Sequence, residues 1–75
     1  MKLDANVKIT RSPVEDLLPT GTQCEIPIDE DYCSDWDDVI RTVEMELFST
    51  YNLALTYNIN FEISNAQELC DTLFN

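Results

Sequence analysis

Carboxylates are the chemistry this chain carries in quantity. Of its 75 residues, 15 are Asp or Glu and none is His. Eight of these acids stand in the stretch DEDYCSDWDDVIRTVEMELFSTY, residues 29–51, together with the only Trp. Clustered carboxylates can share a proton in acid–base catalysis, hold a hard divalent cation, or meet a cationic surface.

The first use lacks its companions. The sequence has no His, no glycine-rich phosphate loop and no G-x-S-x-G, so no nucleophile, base and metal set is assembled and a non-enzymatic protein is expected. The second use fails on spacing. An EF-hand loop begun at Asp29 has Asp31 and Cys33 at its third and fifth positions, but it lacks the sixth-position Gly, where Ser34 stands, and Ile40 falls at twelve. Begun at Asp35, the loop reaches Glu46 at twelve only by consuming a helix. Loose divalent binding by the clustered carboxylates is the one metal reading left; no cofactor is expected.

The third use fits the bulk charge. The net charge is −11, and residues 12–75 hold fourteen of the acids and a single base, Arg41. Lys2, Lys8 and Arg11 gather at the start of the chain. Such a balance repels bare nucleic acid and anionic membranes and steers the chain toward basic protein surfaces. The apolar fraction of 44% is too high for a disordered acidic tail. One small folded domain spanning residues 1–75 is expected, modest in stability because a chain this short buries only roughly 60% of its unfolded surface.

The N-terminal MKLDANVKIT has no apolar core of a secretory leader, and no run approaches the ~18 apolar residues of a membrane span. A cytoplasmic location follows as the expectation. Cys24, Cys33 and Cys70 are odd in number and beside apolar positions, which reads as small buried hydrophobes in a reducing compartment.

These groups need a scaffold. Leu3, Ala5, Val7 and Ile9 alternate with polar residues, which predicts a half-buried strand. Ser12-Pro13-Val14-Glu15 has the form of a capping box before a turn or two of helix pinned by Val14, Leu17 and Leu18. Cys24, Ile26 and Ile28 predict a short strand that Pro27 confines to a sheet edge, and Gly21 marks a backbone site needing positive φ.

Asp35, or Ser34, is placed to cap a helix running from Trp36 to about Tyr51. Trp36, Ile40, Val43 and Leu47 form its expected core stripe, flanked by Val39 and Tyr51. Alternation from Leu53 through Leu55, Tyr57, Ile59 and Phe61 to Ile63 predicts a long central strand whose open face is Thr56, Asn58, Asn60 and Glu62. Ser64 and Gln67 are spaced as a second capping box before a last amphipathic helix through Leu69 and Leu73. The fold class is therefore α+β: about three strands with two helices on one face.

On the long helix, Asp37 and Glu44 are about 10.5 Å apart along one side, and Asp29, Glu30, Asp31 and Asp35 extend the array beyond the helix start. Asp38 belongs to the same array. Arg41, Met45 and Phe48 follow at i, i+4 and i+7 on the side away from the stripe, an apolar anchor within an acidic rim. Spaced carboxylates on a folded surface can occupy a groove built to hold DNA phosphates. In size and composition the chain resembles the small acidic phage-encoded inhibitors, the anti-CRISPR and anti-restriction proteins, several of which act as DNA mimics. That resemblance implies a host-cytoplasm inhibitor of a nucleic-acid-binding protein or complex.

The alternative is an acidic adaptor, immunity or antitoxin-type protein whose Met45 and Phe48 bind one specific partner. The second half is also similar to an acyl carrier protein in Ser34-Asp35-Trp36 and in Ile63-Ser64 with Leu69, although Asp35 stands where that family's phosphopantetheine Ser belongs. The polar sheet face leaves room for a homodimer.

Overall fold

A computed structural model describes residues 3–54 and 56–74; Lys2 and Leu55, both used in the sequence reading, lie outside the described residues. Strand β1 is Leu3–Arg11, β2 is Gln23–Ile28, helix α1 is Trp36–Thr50, β3 is Asn60–Ile63 and helix α2 is Ala66–Phe74. The sheet is antiparallel with order β2-β1-β3.

The alternation of β1 decides the layers. Leu3, Ala5, Val7 and Ile9 are buried, whereas Asn6, Lys8 and Thr10 are exposed. The covered face meets Ile26 and Ile28 of β2, Val39, Val43 and Leu47 of α1, and Leu69 of α2 in one core. Each such side chain contributes about 1.5–3 kcal/mol when fully removed from water. The expected α+β architecture is thus present.

Its centre is β1, not the predicted strand over residues 53–63. Only Asn60–Ile63 of that segment is strand, and Thr56 and Asn58 are exposed outside it. The reason lies at the end of α1. Asn52 adopts φ +53°, Leu53 N–H donates to Phe48 O at 2.9 Å, and Asn52 N–H donates to Ser49 O at 3.4 Å. This is a Schellman termination, with Asn in the left-handed position and the following apolar residue folded onto the helix. Leu53 is consequently buried as part of a helix cap.

Neither predicted capping box forms. Ser12 Oγ accepts the Val14 N–H at 3.1 Å, but no helix follows, and Glu15 reaches forward to accept Thr20 N–H at 2.8 Å and its hydroxyl at 2.5 Å. Within that loop Leu18 is fully buried while Leu17 is exposed, contrary to the expectation that both pin it. Ser64 donates from N–H and Oγ to Asn6 O of β1, and Gln67 bonds Asp71.

Two backbone expectations hold. Gly21 has φ +93°, with its N–H on Ile9 O at 2.7 Å and Ile9 N–H on Thr22 O at 2.9 Å, so Gly21 and Thr22 together face Ile9 as a bulge. Pro27 lies opposite Asp4 on β2, an edge strand.

Candidate protein-binding surface

The acidic approach to α1 is a bonded ledge rather than a loose loop. Asp29 Oδ1 accepts Asp31 N–H at 3.0 Å and starts a 3-10 turn, Glu30–Tyr32. Asp35 is the helix cap, accepting Asp38 N–H at 3.0 Å. Asp38 answers by accepting the Ser34 N–H at 3.0 Å and the Ser34 hydroxyl at 2.9 Å. These two Ser34 bonds are the main reason that the Asp38 carboxyl ionises below the usual range; Arg41, its Nη1 at 3.6 Å, and the Asp35 contact add to it. The acids near the helix start also lie at the positive end of its dipole.

Asp29, Glu30, Asp31, Asp35, Asp37 and Glu44 are exposed, as is Arg41, while Asp38 is half-buried. Three of the array's carboxylates are thus committed locally, Asp29 and Asp35 as caps and Asp38 to Ser34. Glu30, Asp31, Asp37 and Glu44 point their charge outward from elements those caps hold rigid.

The stripe of α1 is centred differently from the expectation. Val39, Val43 and Leu47 are the buried residues, and Trp36 and Ile40 are only half-buried. The predicted trio also divides. Met45 is 59% exposed, but Phe48 is half-buried and packs on the core, so it is not a free anchor. Residues 57–59, just ahead of β3, and Phe61 within it form with α1 a groove of about 130 Å³ lined by Glu44, Leu47, Phe48, Tyr57, Asn58, Ile59 and Phe61.

Tyr32, absent from the predicted set, is 81% exposed in the middle of the acidic ledge. A readable sign of it exists: Glu30 and Asp31 immediately precede it within the acidic run.

Among the described residues, no group of three or more His, Cys, Asp or Glu is arranged to hold a metal ion. The cysteines are free; Cys33 is buried and Cys24 and Cys70 are half-buried. Among the described residues no helix is long and apolar enough to cross a membrane. The three-stranded sheet also departs from the four-helix fold that the carrier-protein likeness implies. Comparison with protein-family models, curated proteins and solved structures gives no match.

Proposed function

We propose that this chain is a non-enzymatic binding protein of the host cytoplasm that blocks the basic nucleic-acid-binding surface of a partner, in the manner of a phage anti-defence or DNA-mimic inhibitor. The observation that carries the proposal is the ledge: Glu30, Asp31 and Asp37 are exposed on a segment whose turns are fixed by Asp29, Asp35 and Asp38. Carboxylates held in place before contact lose less entropy on meeting Lys and Arg than those of a mobile tail. Their summed field speeds encounter with a basic partner.

The test is capture from a host lysate at low and high salt, followed by competition with purified components. Nucleic acid should displace the chain from its partner. Asp31→Lys with Asp37→Lys should slow association strongly and flatten its salt dependence. Asp38 is left unaltered because it holds Ser34. A partner that binds nucleic acid and this chain together, or an unchanged association rate, would refute the proposal.

Exposed Tyr32 and Met45 favour a second reading, an adaptor, immunity or antitoxin-type protein in which apolar anchors dominate. Under it, Tyr32→Ala with Met45→Ala should weaken binding more than the charge reversals. Phe48→Ala is unsuitable because Phe48 packs on the core.

A further inference from the structure

The groove between α1 and residues 57–61 joins an aromatic and aliphatic lining to one carboxylate, Glu44, and among the described residues no basic side chain lines it. Tyr57 is partly exposed and Phe48 and Phe61 are half-buried, so ring surface is reachable from solvent. Its volume of about 130 Å³ suits a single side chain, since pockets for drug-sized ligands run to about 300–1,000 Å³.

We infer that this groove receives one lysine or arginine side chain from a basic partner surface. The inference rests on the reading of the chain as a binder of basic surfaces. A long cationic side chain has an aliphatic stem to cover Ile59 and the rings, and a head that aromatic faces and Glu44 both attract. An anionic ligand would face Glu44 within a chain of net charge −11. A wholly apolar one would strip water from Glu44 without replacing it. Tyr57 also lines a second cleft, together with Glu15 and Asp16.

The groove continues the acidic ledge. Asp37, Arg41, Glu44 and Phe48 follow at i, i+4, i+7 and i+11 and so share one side of α1. Arg41 is engaged by Asp38, toward the start of the helix. A partner lying along this ridge would therefore meet charge first and the groove at its far end.

The experiment titrates N-acetyl-arginine methylamide into the full ¹⁵N-labelled chain, with the norleucine and glutamate analogues as controls. Saturable shifts should centre on Glu44, Phe48 and residues 57–61, strongest for arginine and absent for glutamate. Glu44→Gln and Tyr57→Leu, both at exposed positions, should each weaken the arginine probe about two- to five-fold. Shifts spread over Asp29 to Asp38 with no focus in the groove, equal binding of norleucine, or no saturable binding would overturn the inference. The first of these would leave the proposed function standing. Conversely, arginine in the groove with partner binding indifferent to the Asp31 and Asp37 reversals would sink that function and not this site.

Discussion

Asn65 acts on Asn6 as though it were a further residue of β3. Its Oδ1 accepts the Asn6 N–H at 2.8 Å, and its Nδ2 donates to Asp4 O at 2.8 Å. The side-chain amide thus continues the ladder on β1 after Ile63, and the two opposite partners fix which atom is oxygen and which is nitrogen. It also ties the start of α2 to the central strand.

Removing this amide should therefore loosen two elements together. Asn65→Ala is expected to destabilise the fold by about 1–3 kcal/mol, because it leaves backbone groups of β1 without their partners. Asn65→Asp keeps an acceptor for Asn6 but turns a second acceptor toward the Asp4 carbonyl. Urea denaturation measures the cost; amide exchange at Asn6 should quicken in the Ala variant and stay slow in the Asp variant.

The loop between β1 and β2 should show a sharp contrast between neighbours. Leu18 has no solvent exposure and Leu17 is 53% exposed. Leu18→Ala is expected to cost about 2–5 kcal/mol, whereas Leu17→Ala should stay within about 0.5 kcal/mol. Paired thermal melts of the two variants check this.

The end of α1 depends on a left-handed residue. Asn52 at φ +53° tolerates Gly, so Asn52→Gly should be near neutral, while Asn52→Val should destabilise by roughly 1–2 kcal/mol. The same melts apply, and the Val variant should also lose amide protection at Leu53.

Acid should act on the ledge in a defined direction. The folded Asp38 ionises below the 3.8 of an ordinary aspartate, chiefly through its bonds from Ser34. Because the folded value is depressed, the stabilisation is present above the unfolded value and is lost as pH falls through the folded one. A titration from pH 6 down to about 2, which spans the ordinary aspartate value, followed by carboxyl and amide NMR, should show the Asp38 carboxyl titrating below 3.8. The Ser34 amide should shift with it, and Asp38→Asn should abolish that coupled step.

Much of this architecture can be read from residue types. The alternation in β1 and β2, the Asp35 cap and the periodicity of both helices each reflect a local rule that the tertiary structure obeys. Residues 53–59 could not be read that way, because alternation describes an extended chain equally well whether or not a strand lies beside it. The deciding sign was Asn52-Leu53, whose pairing suits a helix termination. Phe48 was misjudged for a connected reason: residues 57–59, outside the sheet, and Phe61 of β3 line a groove with it on its side of α1. Within the site, the exposed carboxylates follow from composition, but the groove depends on that long-range return of the chain.

Pro27 has a consequence for how this sheet meets others. Asp4, its partner across the pair, gives its carbonyl to Asn65 on the opposite side, so the backbone nitrogen of Pro27 is directed away from β1. Within the molecule nothing is lost by the missing N–H. An incoming strand, however, would find a donor absent from the margin it tried to extend. The other margin, β3, offers only four residues. Lateral growth of the sheet is thus interrupted on one side and short on the other, which disfavours fibril-like stacking in a small chain whose remaining surface is left open for partners.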